Sequence, residues 1–342
     1  MFGTYRTLLA LLVVLLHFAF VPLIGEYAVF GFFALSGFLM TLIMQRNYGY
    51  TITGIGAFAV NRFLRIYPVY WAACVVSALV LLSLPYVQTT GWNNGYYMPD
   101  TFRDWFYNLA LILRFSQKPA LVSPAWALTV ELFFYACIGL GLSRTRAITW
   151  IWFALSVAYT IWLLLTDPVW GHRYYTLGAA SLPFATGALI WHYRDELQRL
   201  TGAVTGIRFM PAFLFIGILA NWYVGRKMGT QTGLSFYVNF LLCCLMIITL
   251  FPRRELPLIS RRFDDWMGSL SYPLYVVHVP LAYPLRYMFQ QIGIPIVRPE
   301  PLFFLLSVPF LILAAWLIAV TIEANTDRLR GWIKGRVDMQ AS

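Results

Sequence analysis

An ionisable side chain inside a long apolar run is costly to leave unpaired in lipid, so each one is a candidate for function. The segment YRTLLALLVVLLHFAF carries two, Arg6 and His17. They are about three helical turns apart, which puts both on one helix face some 16 Å from each other along the axis. Imidazole titrates near neutral pH, so His17 is a candidate general base or covalent carrier. The bland alternatives are a histidine bonded to a neighbouring helix and an arginine snorkelling to head groups. Glu131, in PAWALTVELFFY (124–135), lies about 9 Å below the outer face when counted from Ala125, and His17 lies about 15 Å above the inner one. The carboxylate is expected to meet the imidazole in one cavity, orient its ring and stabilise an imidazolium. Otherwise it is a protonated carboxyl bonded to a backbone group or hydroxyl. His278 of SYPLYVVHVP falls at a similar depth, with Ser36 of LSGF near it. Carbonyls freed by Pro273 and Pro280 offer that histidine a purely structural role. Arg62 and Arg65, in NRFLRIYPVYW, are three apart and share a helix face. Two guanidiniums so placed suit a multiply charged phosphate, although a topology signal reads the same way.

The elements that must position these groups are membrane helices. The chain has 342 residues, 60% hydrophobic and 11% charged, against about 25% charged in soluble domains. A water-soluble fold is excluded on that ground. The net charge of +11 does not mark a nucleic-acid partner, because the basic residues punctuate the ends of apolar runs. Cys74, Cys137, Cys243 and Cys244 lie inside apolar runs without the spacing of a metal site, so buried thiols and no metal are expected. Residues 1–24 look like a signal peptide, but no small-x-small site follows and His17 interrupts the apolar core, so a retained first helix is expected.

Ten apolar windows read as spans, at about 7–24, 28–45, 67–84, 125–142, 147–165, 174–191, 207–224, 232–250, 268–289 and 302–322. With both termini in the cytoplasm, seventeen of the 25 lysines and arginines fall on the inner side and eight on the outer. That asymmetry is the positive-inside pattern. The expected fold is therefore an all-α, polytopic membrane helix bundle of about ten transmembrane helices, with an outer loop at about 85–124 and a cytoplasmic tail at about 323–342. Within that loop, residues 102–121 hold an apolar stretch too short to cross, expected as an interfacial or re-entrant piece. No internal repeat or appended soluble domain is visible, so residues 1–342 read as a single membrane-embedded domain.

Taken together, these residues resemble acyltransferase family 3, integral-membrane enzymes that acylate carbohydrates outside the cytoplasm. The resemblance is carried, in order, by Arg6 and His17, FFALSGFLM (32–40), RFLRIYPVYW (62–71), PAWALTVELFFY (124–135) and SLSYPLYVVH (269–278). It implies that His17 is the essential first-helix histidine, Arg6 its companion, and Arg62 with Arg65 the RxxR loop. It further matches Ser36, Gly37 and Phe38 to the SGF element, and Trp126 and Glu131 to the W-S-L-x-x-E element. Tyr135, Ser271, Tyr275 and His278 fall within the last two matched motifs. Three departures stand out. Phe30 and Gly31 occupy the stretch where many members carry an acid, Ala127 replaces the serine of W-S-L, and Glu323 lacks the Arg-Pro that often follows it.

The resemblance implies a bacterial inner-membrane enzyme that takes an acyl group, usually acetyl, from cytoplasmic acetyl-CoA and delivers it to a sugar hydroxyl. His17 and Glu131 are then the catalytic pair, and Arg6, Arg62 and Arg65 bind the donor. No permanently bound cofactor is implied; the partners are the bilayer, acyl-CoA and a carbohydrate acceptor, with nothing said of oligomeric state. Trp92, Tyr96, Tyr97 and Trp105 offer aromatic platforms for the sugar, although interfacial belts look alike. The rival classes are a transporter or flippase of lipid-linked glycan, often built from repeats, and a membrane sensor or scaffold.

Overall fold

A computed structural model describes residues 2–84, 95–112, 120–296 and 298–331. Each of the ten apolar windows is occupied by a helix: α1 (Gly3–Ala19), α2 (Ile24–Ile43), α3 (Ile52–Ser83), α5 (Trp126–Gly139), α6 (Arg146–Thr166), α7 (Leu177–His192), α9 (Met210–Met228), α10 (Leu234–Leu250), α11 (Arg261–Gln291) and α12 (Pro301–Ile318). Two shorter helices, α4 (Phe102–Leu109) and α8 (Arg194–Thr205), lie between them. No strand forms among the described residues. Four helices are long and apolar enough to cross a bilayer alone, or five if α8 and α9, bent by 85° at their junction, count as one. Helices α1, α5 and α10 are apolar but shorter, and α11 buries Asp264, Ser271, Tyr272, Tyr275 and His278 along its length.

Burial follows lipid logic. The outward faces of α6, α9 and α12 expose large apolar side chains such as Leu155, Leu165, Phe213, Ile216, Leu305 and Leu313. Water would disfavour such a surface and hydrocarbon accepts it. The polar groups turn inward instead. Cys74, Cys243 and Cys244 are buried as expected, and Cys137 is half-buried.

Helix α2 is the central column, packed most closely on α7, while α1 packs most closely on α11. Glycines permit both crossings. A Cβ on Gly37 would sit 2.1 Å from the carbonyl oxygen of Phe184, and one on Gly187 would sit 2.0 Å from that of Ala34. At the other crossing the Gly3 N–H and the Thr4 N–H donate to the Asp264 carboxylate at 3.2 and 2.7 Å, and Thr7 Oγ1 donates to the Met267 carbonyl. Asp264 thereby satisfies amides at the start of α1 that no preceding turn can reach.

The connecting segments sort into two ends. At one end Gln45 meets Arg144, Arg146 meets Glu196, Arg253 meets the carbonyls of Thr205 and Ile207, and Arg65 meets Glu323. At the other, Trp222 Nε1 donates to the Pro22 carbonyl, Tyr27 to that of Gln231, and the Glu300 N–H to that of Phe18. The N-terminal residues and residues 323–331 share the first end. The segment read as a tail from about 323 is helical as far as Gly331, and Glu323 itself is buried.

The described residues of 102–121, a segment too short to cross, lie along α3. Ser77 Oγ donates to the Leu121 carbonyl, whereas Tyr67 Oη and Tyr70 Oη reach the carbonyls of Ala110 and Asn108. From Ser77 down to Tyr67 is about 15 Å of helix. Thr129 Oγ1, one turn inside α5, closes the excursion by donating to the Leu111 carbonyl.

Candidate active site

A cavity of about 140 Å³ opens between α1, α2, α3, α5 and α11, enough for about five water molecules. It is lined from Met40 to Val29 along α2, about 16 Å of helix. Three guanidiniums, Arg6, Arg62 and Arg65, face it, against one carboxylate, Glu131. Such an excess of cations in a partly enclosed space favours an anionic ligand.

Each cation is held differently. Arg65 is ion-paired with Glu323 at 3.0 Å and lies over the Tyr272 ring, 6.0 Å from its centroid. Arg62 Nη2 donates to Asn61 Oδ1 at 2.7 Å, leaving its Nε without a partner. Arg330 Nε donates to that same Asn61 oxygen at 3.2 Å, which brings a fourth guanidinium beside the site. Arg6 makes no hydrogen bond or ion pair among the described residues, yet feels the charges of Arg65, Glu323 and Glu131. Guanidiniums with unused donors are what a phosphate group recruits.

Glu131 is clamped by hydroxyls rather than by an imidazole. Ser36 Oγ donates to Oε1 at 2.9 Å, Tyr135 Oη donates to Oε2 at 3.0 Å, and the two hydroxyl oxygens are 3.4 Å apart. The expected contact of Glu131 with His17 is absent. The reason is depth: Ser36, which binds Glu131, lies on α2 beyond Gly31, which packs against Tyr5 and Leu9, so Glu131 sits at the level of Arg6, whereas His17 is about three turns further along α1. His17 instead has its Nδ1 2.9 Å from the Val13 carbonyl and 3.3 Å from His278 Nε2. Neither histidine lines the cavity, but Tyr275, one turn from His278 on α11, does.

The remaining motif residues divide between the cavity and the scaffold. Ser36, Tyr135, Ser271 and Tyr275 line the cavity, with Ser271 Oγ buried and unpartnered and Tyr275 Oη donating to the Pro124 carbonyl at 2.8 Å. Gly37 and Phe38 face away from it. Gly37 forms the α2–α7 crossing, and Phe38 packs edge-on against Trp191 and Phe251. Trp126 meets Phe33, Tyr174 and Tyr175 edge to face at the start of α5. Of the aromatic platforms expected in the outer loop, Trp92 lies outside the described residues. Tyr96 is 1% exposed, stacked on Tyr283, and so offers no open face. Trp105 lies with Phe102 and Phe106 of α4 along an aromatic stripe on α3.

Two contacts were within partial reach of the sequence. Tyr135 follows Glu131 by four residues, the spacing of neighbours on a helix. Glu323 is a carboxylate inside the final apolar stretch, a position that demands a partner, but only the fold names Arg65. Nothing in the sequence pointed to Asn61 or Arg330.

An α-helical bundle with apolar outward faces and a cavity lined by three guanidiniums defines a multi-pass membrane protein. The family model described as an acyltransferase domain matches residues 4–320, and the chain belongs to acyltransferase family 3. No curated protein and no solved structure matches it. It is a membrane acyltransferase.

Proposed function

We propose that this protein, acting as one membrane-embedded domain, moves an acyl group from cytoplasmic acyl-CoA to a hydroxyl of an extracytoplasmic sugar or polysaccharide. The group is acetyl by resemblance, and the location is the bacterial inner membrane. The observation that carries the reading is the cavity itself. Its three guanidiniums suit the phosphates of coenzyme A, and it runs about 16 Å along α2 toward the level of His17 and His278. The charge split assigns the arginine end to the cytoplasm, together with both termini.

In this reading Arg6, Arg62 and Arg65 hold the donor's phosphates while its acyl-bearing arm extends along the cavity. The acceptor hydroxyl approaches His17 from the outer side. Its oxygen attacks the thioester carbonyl as His17 takes the hydroxyl proton. The carbon–sulfur bond then breaks, and the proton passes from His17 to the departing thiolate, releasing free coenzyme A and the acyl ester. Glu131, held by Ser36 and Tyr135, shapes the cavity wall between the donor end and the reacting centre.

The direct test is coenzyme A release from acetyl-CoA by purified His17→Ala. Turnover near that of the wild type would remove His17 from the mechanism. Sugar flux without coenzyme A release would favour a transporter instead. Comparing surface polysaccharide by mass with and without the gene would identify acyl group and acceptor together.

A further inference from the structure

The two imidazoles at the end of this path opposite the arginines are arranged as a pair. His278 is fully buried on α11, and its ring centroid lies 5.0 Å from that of His17, with the planes at 53°. His278 Nε2 is 3.3 Å from His17 Nδ1.

Backbone carbonyls fix the proton on each ring. His17 Nδ1 lies 2.9 Å from the Val13 carbonyl oxygen, and His278 Nδ1 lies 2.7 Å from that of Tyr275. A carbonyl only accepts, so a neutral imidazole in either place must carry its hydrogen on Nδ1. The Nε2 of His278 is therefore a bare lone pair facing the Nδ1–H of His17. That hydrogen is shared between Val13 and His278. The Nε2 of His17 is left bare as well, and it has no partner among the described residues.

We infer that His278 is a positioning residue: its Nε2 accepts the Nδ1–H of His17 and, together with the Val13 carbonyl, orients the ring so that its bare Nε2 can take a proton from an acceptor hydroxyl. Val13 lies four residues back on the same helix and holds the ring at one point. His278 comes from a different helix and fixes a second direction, which sets the ring plane. As Nε2 takes the proton, charge appears on the His17 ring and the Nδ1–H bond becomes charge-assisted, roughly twice as strong. Support that grows with the charge favours the transition state over the ground state. When the proton moves on to the thiolate the ring returns to its starting tautomer, and the Nδ1 hydrogen never leaves. Glu131 does not compete for this role, since it lies with Ser36 and Tyr135 at the arginine end of the cavity and makes no contact with His17 among the described residues. The chemistry rests on the acyl-transfer reading; the tautomer does not.

The chain has only four histidines, so nitrogen NMR of the full-length protein labelled with ¹⁵N-histidine can isolate His17 by difference with His17→Gln. Wild type should show the proton on Nδ1 and a bare Nε2. His278→Phe should keep the proton on Nδ1, where the Val13 carbonyl still accepts it, but shift that N–H resonance toward the position of a singly bonded donor, and His278→Gln, whose amide oxygen accepts a hydrogen bond, should shift it back. With acetyl-CoA as donor, His278→Phe should lower kcat about tenfold to a hundredfold with KM nearly unchanged, the loss expected for one charge-assisted hydrogen bond. His278→Gln should recover most of that kcat. A wild-type His17 protonated on Nε2, or a His278→Phe protein with an unaltered Nδ1–H resonance and kcat, would overturn the inference. If wild type releases no coenzyme A, the acyl-transfer reading fails while the NMR result still decides this one.

Discussion

Replacing Arg65 with alanine removes two things at once, a cation from the donor end of the cavity and the partner of Glu323. The pair is 3.0 Å apart with side chains 18% and 5% exposed, so the orphaned carboxylate would sit in low dielectric. Deleting one partner of a buried pair costs about 3–5 kcal/mol of stability. Losing a charge-assisted hydrogen bond to a phosphate costs about 1.5–3 kcal/mol of binding, roughly tenfold to a hundredfold in the KM for acyl-CoA. The two effects separate in the double variant Arg65→Ala, Glu323→Gln, which also removes the stranded charge. Thermal unfolding of purified protein in detergent should show stability lost in the single variant and largely regained in the double. Initial rates of coenzyme A release against acetyl-CoA concentration should show KM raised in both. If Glu323→Gln restores KM along with stability, Arg65 serves the fold alone and the donor phosphates bind elsewhere.

Gly37→Ala places a methyl 2.1 Å from a backbone oxygen of α7; overpacking of this kind costs about 1–3 kcal/mol, and an unchanged unfolding temperature would show that the α2–α7 crossing does not depend on Gly37. Ser36→Ala and Tyr135→Phe each leave Glu131 one hydroxyl and together leave none, so their combined loss in kcat/KM should exceed the product of the single losses. Strict multiplicativity would mean that the two hydroxyls do not act through the shared carboxylate. For sidedness, Val169→Cys and Leu200→Cys place thiols at exposed positions on opposite ends of the bundle. An impermeant thiol reagent should label the first in right-side-out vesicles and the second only after permeabilisation, and the reverse pattern would invert the assigned topology.

Helix placement was written in the sequence because lipid imposes a local rule: a window of apolar residues must close its own backbone hydrogen bonds, and each of the ten windows holds a helix. Depth was legible in part: a fixed rise per residue places His17 and His278 at one level, where they meet, but the same count put Glu131 beside them, and the structure sets it with Ser36 at the level of Arg6. The type of each candidate was legible too, because an Arg, His or Glu inside an apolar run stands out against its neighbours. Partnership was not. Two groups at equal depth can lie on opposite sides of a bundle, and rotation of each helix about its axis is set by side-chain packing, which depends on every neighbour together. Thus the expected Glu131–His17 contact gave way to Ser36 and Tyr135 on one side and to His278 on the other. Likewise Gly37 and Ser36 are adjacent in one motif, yet α2 turns the first into α7 and the second into the cavity. The sequence by itself determined a helical membrane protein and the inventory of groups able to do chemistry within it. Only the tertiary structure decided which of them touch, because contact between helices is a property of their relative rotation and no local stretch of chain encodes it.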